Sequence, residues 1–102
     1  MKYTEEFLKK MIQVGTLGYP LSKVVNVLEV DDFEVFKKDF YDENHTINLY
    51  YNKGLDKADL LIDSKLFDLA KSGDLKALEK YERRKIEYQE RYQDEFKKRK
   101  RK

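Results

Sequence analysis

A stripe of apolar and small residues between positions 47 and 69 constrains the fold of this chain more than any other feature. Its members recur in steps of three and four without a break: Ile47, Tyr51, Gly54, Ala58, Ile62, Leu66 and Leu69. Such spacing places side chains on one face of an α-helix and would scatter them over both faces of a strand. The sequence therefore predicts one long helix here, with Thr46 as its N-cap and Ser72 and Gly73 at its C-terminal end.

Four further helices are predicted from similar spacing and from residues that favour helix starts. These residues are Thr4 for the first helix, Pro20 for the second, Asp31 for the third and Asp74 for the fifth. With four glycines and one proline in 102 residues, the chain has few of the turn signals that a many-stranded sheet needs. The expected fold class is all-α, an N-terminal helix-turn-helix unit followed by a long antiparallel helical hairpin.

Residues 21–40 have the build of a helix-turn-helix, in which a second helix can enter the major groove of DNA. Two small apolar residues, Val24 and Val25, lie in the first helix, and a turn at residues 28–30 leads to the second. A glycine normally stands in the middle of this turn to take a positive φ, whereas this chain has Glu29. Because the second helix also begins with acidic residues, a plain pair of packed helices stays open as the alternative.

The helices group into three predicted parts: a DNA-recognition unit (1–44), a hairpin for oligomerisation (45–96) and a basic tail (97–102). Burial of both hairpin stripes yields roughly 25 cal/mol per Å². Ordering the backbone costs about 1–2 kcal/mol per residue, so a homo-oligomer is expected. The residues expected to form its interface are Tyr51, Ala58, Ile62, Leu66, Leu69, Tyr81, Tyr88, Tyr92 and Phe96.

The net charge of +2 is spread unevenly along the chain. Residues 71–102 carry thirteen Lys and Arg against seven acids, whereas residues 31–70 carry ten acids against five lysines. A positive segment attracts phosphate. For residues 78–96, the stripe of Tyr81, Tyr88, Tyr92 and Phe96 also suits packing on a partner helix, and residues 97–102 also suit a solubilising tail. The candidate DNA-binding residues are Ser22, Lys23, Lys37, Lys38, Arg83, Arg84, Lys97, Lys98, Arg99, Lys100 and Arg101.

Residue types that catalysis and metal binding need are scarce. His45 is the only histidine, cysteine is absent, and no glycine-rich phosphate-binding loop occurs. The sequence therefore predicts no enzyme activity, no catalytic residues, no metal site and no cofactor. No apolar run approaches the roughly 18 residues of a membrane span, so no membrane partner is expected. The cytoplasm, that of the host cell if the chain is viral, is the expected location.

The order of motifs between residues 20 and 84 resembles that of phage terminase small subunits. A start at 50–54 (YYNKG) opens the long helix, a turn at 70–74 (AKSGD) ends it, and a helix at 77–84 (ALEKYERR) follows. The resemblance implies binding of double-stranded DNA at packaging initiation, assembly into a ring, and recruitment of the large terminase subunit. A virion structural or assembly protein and a helix-turn-helix transcriptional regulator are the alternatives.

Overall fold

The computed structural model describes residues 2–95, and the chain forms five helices between residues 2 and 92. These are α1 (Glu5–Thr16), α2 (Leu21–Val27), α3 (Phe33–Phe40), α4 (Thr46–Lys71) and α5 (Leu75–Arg91). The described part of the chain contains no strand, which confirms the all-α prediction. The chain divides into two compact units, Met1–Leu60 and Leu61–Lys102, so the division falls inside α4 rather than before it.

Two of the predicted helix starts are confirmed in atomic detail. The Thr4 hydroxyl accepts a hydrogen bond from the Phe7 backbone N–H at 3.0 Å. The Asp74 carboxylate accepts one from the Ala77 N–H, also at 3.0 Å. Gly73, just before this cap, takes φ +104°, which a residue with a Cβ rarely adopts. The turn between α4 and α5 thus forms as the sequence predicts.

Two other predicted caps are wrong by one residue. Asp32, not Asp31, caps α3, because the helix starts at the residue after it and its carboxylate accepts the N–H three positions on. Thr46 is already helical, and the residue before it provides the cap. The His45 Nδ1 accepts a hydrogen bond from the Ile47 N–H at 3.0 Å.

The first unit is built around one apolar core to which α1, α2, α3 and the start of α4 all contribute. Its fully or almost fully buried members are Met11, Val14, Val24, Phe36, Phe40 and Ile47. The helix-turn-helix of α2 and α3 is therefore held by the helix before it and by the helix after it. Since Ile47 belongs to this core, the first part of α4 belongs with the helix-turn-helix rather than with the hairpin.

α1 and α4 cross with their backbones in contact. A Cβ atom added at Gly54 would lie 2.1 Å from the Ile12 carbonyl oxygen and 2.6 Å from the Thr16 nitrogen. One added at Gly15 would lie 2.1 Å from the Tyr51 carbonyl oxygen. No side chain fits at either position, so the glycine on the long stripe of α4 marks a close helix approach.

The second unit contains an antiparallel hairpin of the end of α4 and α5. The Arg84 side chain pairs with Asp63, and the rings of Phe67 and Tyr81 lie 5.4 Å apart. These pairs join later residues of one helix to earlier residues of the other, which is the antiparallel arrangement. Ala77 is the one buried residue among residues 61–95, so the hairpin has a thin core.

Gly54→Ala should destabilise the first unit severely. The added methyl meets backbone atoms, which cannot move aside as a flexible side chain could, so we expect a loss of about 3 kcal/mol or more, or failure to fold. Gly18→Ala is the control, because it adds the same methyl with no atom within 4 Å. Its positive φ should cost only about 1 kcal/mol. Equal losses for the two variants in urea unfolding would contradict the close crossing.

The stability of the first unit should fall at alkaline pH because of Tyr3. Its hydroxyl donates to the Asp39 carboxylate at 2.6 Å, and burial together with this hydrogen bond raises the pKa of Tyr3. A raised pKa stabilises the fold below the unfolded tyrosine value of about 10, and this contribution disappears as pH rises above it. Tyr3→Phe should lower the free energy of unfolding near neutral pH, because the hydrogen bond to Asp39 is lost. Between about pH 8 and pH 11, the free energy of unfolding should fall by about 1 kcal/mol less in this variant than in the wild type. The exposed Tyr92→Phe, measured in the same urea titrations, should keep the full loss.

Candidate nucleic-acid interface

The turn between α2 and α3 adopts the backbone conformation of a helix-turn-helix without the usual glycine. Glu29 takes φ +53°, the left-handed region that glycine normally supplies. Its neighbour Val30 donates its N–H to the Val25 carbonyl oxygen at 3.1 Å, which closes the turn. The missing glycine therefore costs roughly 1–2 kcal/mol in backbone strain but does not prevent the turn.

α3 has one face in the core and another face open to solvent. Phe36 and Phe40 hold the inner face. Phe33 is exposed at the start of the helix. The further exposed residues, which we call the α3 outer face, are Glu34, Val35, Lys37, Lys38 and Tyr41. The two lysines lie in the last turn of the helix, and the Lys37 ammonium lies 6.0 Å from the centroid of the Phe33 ring. The candidate recognition helix thus presents two cations at its C-terminal end.

Two of the acidic residues near α3 have partners within the protein. The Asp32 carboxylate caps the helix. Asp39 is half-buried, accepts the Tyr3 hydroxyl, and lies 3.6 Å from the His45 Nε2. Asp31 and Glu34 remain exposed at the start of the helix. The acidic start of α3 repels anions, whereas the lysine end attracts them.

Ser22 and Lys23 lie exposed in the first turn of α2. The Lys23 ammonium lies 4.1 Å from the centroid of the Tyr19 ring, within the range of a cation–π contact. This contact holds the lysine near the start of the helix that would cross the DNA backbone in a helix-turn-helix. Both side chains are exposed, and their contact with phosphate stays a prediction.

In the second unit, the two adjacent arginines differ in their surroundings. Arg84 is half-buried, pairs with Asp63, and donates from its terminal nitrogen to the Tyr88 hydroxyl at 2.8 Å. These bonds join α4 to α5 through the Arg84 side chain. Arg83 is exposed. The other predicted cations, Lys97, Lys98, Arg99, Lys100 and Arg101, lie outside the described residues.

The predicted oligomerisation residues fall into three groups. Tyr51 packs inside the first unit, where its ring lies 4.9 Å from that of Phe40 and its hydroxyl donates to the Tyr19 carbonyl at 2.7 Å. The half-buried ones are Ala58, Leu66, Tyr81 and Tyr88, and the exposed ones are Ile62, Leu69 and Tyr92. Phe96 lies outside the described residues.

An apolar face of α5 is absent from the sequence prediction. Leu75, Leu78 and Ile86 are 73%, 40% and 53% exposed. Two of them share one face of α5 with charged side chains, namely Glu79, Glu82, Arg83 and Glu87. The spacing of Leu75, Leu78 and Ile86 could have indicated this face, but Glu82 interrupts the apolar pattern.

Other types of site find no support in residues 2–95. No three His, Asp or Glu side chains there are grouped so that they could hold a metal ion. Within the same range, no helix has the length and apolar character needed to span a membrane. No protein-family model, curated protein or solved structure matches the chain.

Glu29→Gly should stabilise the protein. The substitution removes the left-handed strain of about 1–2 kcal/mol and adds about 0.5–1 kcal/mol of chain entropy to the unfolded state. We expect a net gain of roughly 0.5 kcal/mol, measured by urea unfolding. Glu34→Gly, at an exposed helical position of α3, should instead lose about 1 kcal/mol. A loss of stability in Glu29→Gly would contradict the conformation of the turn.

Proposed function

We propose that this chain is a DNA-binding adaptor for viral genome packaging, of the kind that terminase small subunits represent. The helix-turn-helix of the first unit binds double-stranded DNA. The hairpin of the second unit joins copies of the chain into a homo-oligomeric ring and recruits the large terminase subunit. The order of the helices and the motif resemblance described above support this proposal.

The observation that carries the DNA-binding part is the open α3 outer face of a formed helix-turn-helix. α3 is anchored from its inner side by Phe36 and Phe40, so contact with DNA would disturb no core residue. Lys37 and Lys38 supply the charge. A lysine that contacts phosphate does not distinguish one base from another. The two lysines therefore support binding to the DNA phosphate backbone rather than strong recognition of a DNA sequence.

The oligomer part is supported by the thin core of the second unit. Among residues 61–95, one residue is buried, whereas several large apolar side chains are at least one-third exposed. They are Leu61, Ile62, Phe67, Leu69, Leu75, Leu78, Ile86 and Tyr92. Exposed apolar side chains that lie together in one patch are typical of protein contact sites.

Removing the two α3 lysines should weaken DNA binding in a salt-dependent way. Each phosphate contact contributes about 0.9 to the slope of log affinity against log salt concentration. Lys37→Ala, Lys38→Ala should therefore reduce this slope by about 1–2 and weaken binding at low salt by tenfold or more. A fluorescence anisotropy titration with a short DNA duplex at two salt concentrations measures both quantities.

The matched control is Lys9→Ala, Lys10→Ala, an adjacent and exposed lysine pair on α1 in the same unit. It removes the same charge and should retain at least half of the wild-type affinity. Equal effects of the two double variants would show that net charge alone matters. A wild-type affinity that does not change with salt would refute phosphate contact altogether.

A virion assembly protein that uses its helices purely for protein contacts is the second candidate. The exposed Asp31 and Glu34 at the start of α3 favour it, because they oppose the entry of that end into a DNA groove. This function predicts no DNA retention at low salt, together with tight association with a capsid or portal component. The DNA titration above therefore separates the two candidates.

A further inference from the structure

We propose that His45 is a pH-dependent switch in the connection between α3 and α4. The neutral imidazole caps α4, whereas the protonated imidazole releases that helix and pairs with Asp39 on α3. The inference uses the loop between these helices and the residues that contact it, all of which lie in the first unit. It does not rest on the proposed function, because it concerns the folded unit whether or not DNA is bound.

The cap on α4 requires a neutral imidazole. The His45 Nδ1 accepts a hydrogen bond from the Ile47 N–H at 3.0 Å, so this nitrogen carries no proton in the capped state. The proton of the neutral ring is then on Nε2. A protonated ring carries a proton on both nitrogens and has no acceptor left. Protonation therefore removes the hydrogen bond to the first turn of α4, whichever way the ring is turned.

The other ring nitrogen faces a carboxylate on the preceding helix. The His45 Nε2 lies 3.6 Å from the Asp39 Oδ2, too far for a hydrogen bond but within the range of an ion pair. The two side chains are 28% and 17% exposed, so solvent screens their attraction only in part. The same Asp39 oxygen accepts the Tyr3 hydroxyl at 2.6 Å, which holds the carboxylate in place. A positive ring is attracted to this carboxylate far more strongly than a neutral one.

The groups around the ring act on its charge from different elements. Tyr3, in the segment before α1, places its ring edge to face with the imidazole, with 5.7 Å between the centroids. Asp42 and Glu43, exposed in the same loop, add negative charge to that of Asp39. α4 presents the positive end of its dipole, which disfavours a cation at the cap position. A charged ring is therefore attracted to α3 and repelled by the start of α4.

The other side-chain caps of this protein use acceptors of a different kind. The Thr4 hydroxyl caps α1, and the carboxylates of Asp32 and Asp74 cap α3 and α5. Hydroxyls and carboxylates ordinarily exchange no proton near neutral pH, whereas an imidazole changes charge between about pH 5 and 8. Among the helix starts in residues 2–95, the cap of α4 is thus the one that depends on protons in that range.

Amide hydrogen exchange, measured by NMR on the full-length chain, tests the proposal. The readout is the protection of the Ile47 N–H, which is its exchange rate relative to that of an unstructured peptide at the same pH. Loss of a side-chain cap typically lowers helix stability by about a factor of five, so this protection should fall about fivefold between about pH 7.5 and pH 5.5. The Phe7 N–H, which the Thr4 hydroxyl caps, is the internal control and should keep its protection. Unchanged protection of Ile47, or an equal fall at Phe7, overturns the proposal.

His45→Asn provides a matched variant with a cap that does not titrate. Its carboxamide oxygen accepts a hydrogen bond at every pH, and asparagine is a favoured N-cap residue. The protection of Ile47 in this variant should therefore be equal at the two pH values. A fivefold fall here as well would assign the effect to another group and reject the switch. The comparison of Ile47 with Phe7 in the wild type decides the question even where a variant fails to fold.

Asp39→Asn tests the second partner. The substitution keeps an oxygen for the Tyr3 hydroxyl but removes the negative charge that attracts the protonated ring. The loss of Ile47 protection should then occur at a pH lower by roughly half a unit, because a partly exposed ion pair favours the charged ring by about that much. A loss at the same pH as in the wild type would show that Asp39 is not the partner of the protonated ring.

Discussion

The contact between the backbones of α1 and α4 is the constraint on which the rest of the first unit depends. It exists because Gly15 and Gly54 face each other, and any side chain at either position would overlap carbonyl oxygens. One turn before the crossing, the Tyr51 hydroxyl bonds the Tyr19 carbonyl, just where the chain leaves α1 for α2. The crossing thereby determines where the helix-turn-helix begins, and Ile47 on the same helix closes the core beneath it. DNA recognition by α3 would thus rely on two glycines that cannot contact DNA themselves.

The second unit is held together differently, by a few polar and aromatic pairs rather than by a core. Asp63 and Arg84 set the register of the hairpin, and Phe67 lies on Tyr81. The side chains of this ion pair are 27% and 25% exposed, so solvent screens it only in part. The hairpin buries only one of residues 61–95, so most of the apolar surface of these residues stays exposed to solvent. Contact with a partner would bury more of this surface than the hairpin does. A hairpin whose register is set by specific pairs and whose apolar side chains stay exposed is suited to forming contacts with other proteins.

The fold was predictable because apolar spacing and capping residues are local signals, and the five helices follow them. The errors have tertiary causes. Asp31 and Asp32 are chemically equivalent neighbours, and the choice between them depends on where the core residue Phe36 places the helix. The sequence marks Glu29 as the residue that stands where glycine is usual, but it does not show whether the turn still forms; the positive φ of Glu29 shows that it does. On α4, the polar Asp63 lies in the hairpin contact while Ile62 is exposed, so the apolar period does not mark the contact face there.

The candidate site was less predictable than the fold because charge counts ignore what each charge touches. Arg84 belongs to the most basic third of the chain, yet its guanidinium serves the hairpin. Conversely, Glu79, Glu82 and Glu87 are outnumbered by the cations of that third, yet they collect on one face of α5 beside exposed leucine and isoleucine. Arg83 lies on the same face, so charges of both signs are mixed there. It follows that the number of cations along the sequence does not identify a phosphate-binding surface on the described part of α5, because acidic and basic side chains share its faces.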